Sequence, residues 1–223
     1  MPSVVRLTVT GLVASATMLA AAACGGVNSA NAASITHDDL ISELAAQLGQ
    51  SSTLSYTAVY QLAGGAEAQI TQAQKPTRVA YSFPGGRLIR TLTGTTRCQG
   101  AESALTCVET KPDPADARST GPLTTPEAVL AMLNMAAVDT GVVAKQHDTT
   151  IAGHHATCLA LTGVSHTPTP NFGVCVTAEG ALGSYTATVN GKQADLALTA
   201  YSDKPDVSAF ELPPTAHLTD NRK

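Results

Sequence analysis

Five cysteines and six histidines carry most of the reactive chemistry of this 223-residue chain. The cysteines are Cys24, Cys98, Cys107, Cys158 and Cys175. An odd count in an exported chain leaves one thiol to explain. Cys24 stands apart from the rest: it follows the small residues Ala20, Ala21, Ala22 and Ala23 and precedes Gly25 and Gly26. If its thiol is acylated, four cysteines remain and can pair completely. Four cysteines allow three pairings. We expect Cys98–Cys107 and Cys158–Cys175, because each pair spans an apparent hairpin or short excursion. The alternative, four free thiols, is unusual in an oxidising compartment. The spacings contain no Cys-x-x-Cys and fit no zinc signature, so neither a metal nor a cofactor is expected.

The histidines offer less. His154 and His155 are neighbours, and neighbouring side chains on a strand point to opposite faces, so the pair reads as a turn at a strand entry. His147-Asp148 has the makings of an oriented imidazole, yet no nucleophile accompanies it, and the pair reads as solvated loop residues. There is no Gly-x-Ser-x-Gly, His-Glu-x-x-His, phosphate loop or Ser-x-x-Lys. No catalytic residue is assigned and no enzyme is expected.

The segment before Cys24 explains how that thiol would become available. Arg6 supplies a positive start and Leu7 to Met18 an apolar stretch broken only by mild residues. That length suits a signal peptide, whose apolar region is about 7–15 residues, better than a span of about 20. The layout resembles that of exported lipoproteins, which are cut just before a lipid-bearing cysteine. Those usually carry Leu three residues before it; here Ala21 takes that place and Leu19 lies two residues earlier. The expectation is a signal peptide over 1–23, a lipidated Cys24 opening a Gly/Asn/Ser/Ala tether over 24–35, and a protein held at the cell membrane on its extracytoplasmic face. An ordinary secretory cut after Ala32 or Ala33 is the alternative, and it would remove Cys24.

Beyond the tether, the chain alternates helix and strand signals. Thr36 caps a helix with Asp38 and Asp39 in its first turn, an apolar stripe Leu40, Ile41, Leu44, Ala45, Leu48, and Gly49 as its stop. Residues 54–108 then read as antiparallel strands of period two, punctuated by Gly64-Gly65, Lys75-Pro76 and Pro84-Gly85-Gly86. Lys111 to Gly121 reads as an exposed loop. A central helix follows, capped by Thr124 or Thr125 with Pro126 at its start, and with an apolar face of Val129, Leu130, Met132, Leu133 and Met135. Five further strands are expected between Val142 and Tyr201, the last two joined at Asn190-Gly191. The residues after Pro214 are polar, and 215–223 is expected to be a disordered tail.

Composition closes off some functions. Apolar residues reach 43%, which suits a packed domain, while 13 Lys and Arg against 17 Asp and Glu give a formal charge of −4. With no basic cluster, neither nucleic acid nor a polybasic contact with anionic lipid is expected. Membrane attachment would rest on acyl chains, each buried CH₂ contributing about 0.8 kcal/mol.

The economical arrangement of these elements is an α+β fold: a single curved antiparallel sheet, an unclosed half-barrel, with an N-terminal helix and a central helix on its concave face. The order of elements, the lipidated start and the closing stretch from Leu198 through Tyr201, Asp206 and Phe210 to Pro214 resemble the LolA/LppX-LprG group of lipid-carrying proteins. The resemblance covers residues 36–214 as architecture. It implies a cavity for a lipid or another apolar ligand, no catalytic residues, a monomer, and either this ligand or an envelope protein as partner. The lining candidates are Leu54, Tyr56, Tyr60, Val79 and Tyr81 on the early strands, Leu130 and Leu133 on the central helix, and Leu196 and Leu198 on the last strand. The rival reading is an envelope interaction or sensory lipoprotein whose core is filled.

Overall fold

The computed structural model of the protein describes residues 36–113, 115–116, 120, 122–165, 167, 169–189 and 191–223. The leader, Cys24, the tether and Asn190 lie outside the described residues.

The first helix, α1, spans His37–Gly49. The Thr36 hydroxyl accepts from the Asp39 amide, and the Asp39 carboxylate accepts in return from the Thr36 amide at 3.0 Å, a reciprocal cap. Its stripe of Ile41, Leu44, Ala45 and Leu48 is buried. A meander of six strands follows: β1 Tyr56–Leu62, β2 Glu67–Gln74, β3 Thr77–Phe83, β4 Gly86–Thr91, β5 Thr95–Gln99 and β6 Thr106–Thr110. Gly64 and Gly65 both have φ of +83° at the β1–β2 turn, a conformation that the expected Gly-Gly pair adopts without Cβ strain. The second helix, α2, spans Pro126–Ala137, with the Thr125 hydroxyl capping the Ala128 amide. Then come β7 Val143–Ile151, β8 His154–Thr162, β9 Asn171–Thr177, β10 Leu182–Val189, β11 Lys192–Ser202 and β12 His217–Asp220.

All twelve strands form one sheet in the order β12-β6-β5-β4-β3-β2-β1-β11-β10-β9-β8-β7. Each pair is antiparallel except β12 with β6. The meander and the late strands therefore join through β1 and β11, and α2 crosses between the two outer halves. The β12 and β7 edges are not paired with each other, so the sheet is an unclosed half-barrel. Strand twist makes a sheet this wide curl, and irregularities at Val59/Tyr60 and Leu182/Ser184 add local bends.

The inner face carries the main core. Tyr56, Tyr60, Ile70, Tyr81, Leu88, Leu159, Val174 and Leu182 meet Leu44 and Leu48 of α1 and Val129 and Leu133 of α2 in one cluster. Two smaller clusters lie on the outer face. Ala80 and Ile89 are covered by Ala209, Phe210 and Leu212, while Cys98, Cys107 and Leu105 pack with Leu212 and Ala216. The closing stretch thus straps the outer side of the meander, with Arg78 stacked 4.1 Å above the Phe210 ring.

Residues 215–223 are not a frayed tail: His217–Asp220 adds a parallel edge strand to β6. Backbone pairing, which needs no apolar side chain, explains why a polar segment does this. Leu54 precedes the first strand rather than belonging to it. His147 and Asp148 lie within β7, not in a loop. Met135 does not join the buried face of α2 and is 42% exposed.

The helix–sheet interior as candidate binding site

The strand alternation that places Thr57, Val59 and Gln61 outward turns Tyr56, Tyr60 and their neighbours toward the helices. Of the nine lining candidates, Tyr56, Tyr60, Val79, Tyr81, Leu133, Leu196 and Leu198 are buried in the main core, and Leu54 and Leu130 pack against it half-buried. The structure therefore brings all nine to one helix–sheet interior.

That interior is filled. The hollow between the end of α1 and the start of α2 measures about 70 Å³ and is bounded by Leu48, Tyr56, Gln72, Tyr81, Glu127 and Leu130. A second, under α1 beside β7 and β8, measures about 60 Å³. Ligand pockets are usually about 300–1,000 Å³. Roomier hollows of about 620 and 540 Å³ lie elsewhere, around Pro84-Gly85 and Gly100, and they are open and polar.

Few polar ties among the described residues hold the helical cover to the sheet. Tyr81 of β3 donates its hydroxyl to Glu127 Oε1 in the first turn of α2 at 2.5 Å, with Arg90 Nη1 of β4 3.8 Å from the same oxygen. Gln47 Nε2 of α1 donates to the Thr177 carbonyl of β9 at 2.8 Å. Midway along α2, the hydroxyls of Thr169 and Tyr185 donate to Met132 Sδ at 3.4 and 3.5 Å. The remaining hold is apolar packing, which is non-directional.

Burial pushes the phenols of Tyr56, Tyr60 and Tyr81 well above their usual range, and the Glu127 charge adds to this. All three stay neutral near pH 7. The Tyr60 hydroxyl and Glu127 Oε2 are buried with no hydrogen-bond partner among the described residues. Near the same end, Tyr56 stacks on Tyr201 and His154 meets Tyr201 edge-on. His154 Nδ1 lies 2.7 Å from Glu179 Oε1. Burial pulls the Glu179 carboxyl upward, but hydrogen bonds from His154, its own backbone and Thr177 outweigh it and hold the group below its usual value. Sequence reading missed Glu127, Arg90 and the His154–Glu179 contact. Each depends on partners 25 to 46 residues away, which no local pattern encodes.

The cysteines pair across neighbouring strands. Cys98 faces Cys107 in the β5–β6 ladder with sulfurs 2.08 Å apart, and Cys158 faces Cys175 in the β8–β9 ladder at 2.04 Å. Among the described residues, no helix is long and apolar enough to cross a membrane.

No protein-family model and no curated protein matches the sequence. Solved structures share the fold. MucB aligns with a TM-score of 0.53 at 11% identity over 78% of this chain, which spans only 63% of the MucB chain. An uncharacterized conserved protein from Thermus thermophilus aligns with a TM-score of 0.51 at 11% identity, over 81% of this chain and 98% of the other. The Mycobacterium tuberculosis lipoprotein LppX aligns with a TM-score of 0.45 at 10% identity, over 77% and 97%. At these identities the likeness is one of architecture alone, the unclosed half-barrel with two helices that the resemblance implied.

Proposed function

We propose that this chain is an exported, non-catalytic lipoprotein, anchored through an acylated Cys24, that binds an apolar ligand between its sheet and its two helices. The observation that carries this reading is the make-up of the inner face. A wide apolar surface on an unclosed sheet is covered by two helices of 13 and 12 residues, held by apolar packing and few hydrogen bonds. Alkyl chains make the same non-directional contacts as Leu130, Leu133 and Val129, at about 25 cal/mol per Å² buried. A ligand would take the place of part of the helical cover, because hollows of about 70 Å³ leave no room beside it. The two disulfides fit an oxidising compartment outside the cytoplasm.

The filled interior favours a second reading, an envelope protein-interaction module whose core is complete without a guest. The two separate in a titration of the Cys24→Ser soluble form with a fluorescent fatty-acid analogue. Saturable uptake accompanied by loss of amide protection in α2 supports the ligand reading. No saturable uptake, with α2 protected throughout, supports the second.

A further inference from the structure

His147 sits opposite Cys158 in the β7–β8 ladder, and Cys158 sits opposite Cys175 in the β8–β9 ladder. Residues directly opposite in an antiparallel ladder project to the same face. The three side chains therefore form a row across three adjacent strands. That face is the outer one, since Leu159 and Leu161, which alternate with Cys158, enter the inner core. One ring nitrogen of His147 and the two sulfurs all lie within 4.8 Å of one another. Cys158 is 1% exposed and His147 is exposed, so the row is rooted in the sheet and open to solvent at the imidazole.

We propose that His147, Cys158 and Cys175 form a latent site for a thiophilic divalent cation of the Zn²⁺ class, closed by the Cys158–Cys175 disulfide and opened when that bond is reduced. In the closed state both sulfurs are spent on one another, and only the imidazole remains as a ligand. A dithiol reductant transfers two electrons to the bridge. The S–S bond breaks, the reductant closes to its own disulfide, and two cysteine thiols appear. Zn²⁺ then displaces the two thiol protons and accepts two thiolates and the His147 nitrogen, with water as fourth ligand. Zn–S of about 2.3 Å and Zn–N of about 2.0–2.1 Å in a tetrahedron need the donors about 3.6–3.8 Å apart. The two sulfurs must separate to about that distance once the bond is gone, and the imidazole already lies within 4.8 Å. The strands hold the three Cα positions in register, so the adjustment falls to the side chains.

Among the described residues, the other bridge lacks a third ligand: the Cys98–Cys107 pair lies against Leu105, Leu212 and Ala216. This contrast makes the proposal specific. The site is also independent of ligand binding on the inner face, so failure of either reading leaves the other standing.

The test is a Co²⁺ titration of the Cys24→Ser chain, followed by thiolate-to-cobalt absorption, before and after reduction with a phosphine. The expected result is no thiolate band in the oxidised chain and one strongly bound Co²⁺ per reduced chain, displaced by Zn²⁺. His147→Ala, on an exposed strand position, should weaken binding by on the order of tenfold or more. Cys98→Ser with Cys107→Ser should leave the reduced chain's binding intact; circular dichroism on each variant confirms that it is folded. The proposal is overturned if the reduced chain gives no thiolate band. It is equally overturned if His147→Ala binds as tightly as the parent, or if the band vanishes in a folded chain lacking only Cys98 and Cys107.

Discussion

Tyr81→Phe isolates the link between the helical cover and the sheet. The substitution keeps the ring, which is 1% exposed, and deletes only the hydroxyl that donates to Glu127 Oε1 at 2.5 Å. Hydrogen bonds to charged groups contribute about 1.5–3 kcal/mol. Glu127 is 40% exposed and keeps Arg90 at 3.8 Å, so water and the guanidinium replace part of what is lost. The expected cost is therefore at the low end, about 1–1.5 kcal/mol. For a chain of this size that corresponds to a fall in Tm of roughly 2–6 °C. The local consequence is more telling. If α2 opens without the sheet unfolding, its amides should exchange up to about tenfold faster, since about 1.4 kcal/mol is a factor of ten. Amides of the central strands β1 and β11 should change less. Hydrogen exchange read by mass spectrometry resolves the two regions. Equal acceleration in α2 and in β1 would mean that the cover opens only with global unfolding, and the reasoning about a displaceable helix would fail.

Other consequences are open to measurement. Leu133→Ala removes a fully buried side chain of α2 from the main core and should cost about 2–5 kcal/mol in urea unfolding; a loss under about 1 kcal/mol would show that α2 is not packed as described. Alkaline stability follows from the buried phenols. Tyr56, Tyr60 and Tyr81 have raised folded values, so above about pH 10 the unfolded chain loses protons that the folded chain keeps. Stability should be full below that pH and fall as pH rises through it, with phenolate absorbance from these three appearing only on unfolding; early ionisation of all five tyrosines would contradict the burial. Replacing Cys98 and Cys107 by Ala releases a nine-residue separation and should cost roughly 2.6 kcal/mol on the loop-entropy model, measured by thermal unfolding.

Much of the frame was legible in the sequence, because it is local. Thr36 and Thr125 announce their helices through capping chemistry, and Tyr56, Ala58 and Tyr60 announce a strand by alternation. The cysteine pairs follow from hairpins that bring partners opposite one another. What stayed hidden depends on volume and distant contact. Periodicity says that Tyr60 and Leu133 face inward, but not that the hollows beside the helices are as small as about 60 and 70 Å³. The strand His217–Asp220 pairs through its backbone at a sheet edge, so its side chains carry no pattern. The strap over Ala80 and Ile89 likewise rests on the few apolar residues Ala209, Phe210 and Leu212, too sparse to show a period.

Whether the inner face accepts a guest in place of its helices can be read by native mass spectrometry of the Cys24→Ser chain purified from its own host. The expected result is a co-purifying apolar adduct that organic extraction removes and that Tyr81→Phe retains. Bare protein alone, in preparations that still hold α2 fully protected from exchange, would contradict it.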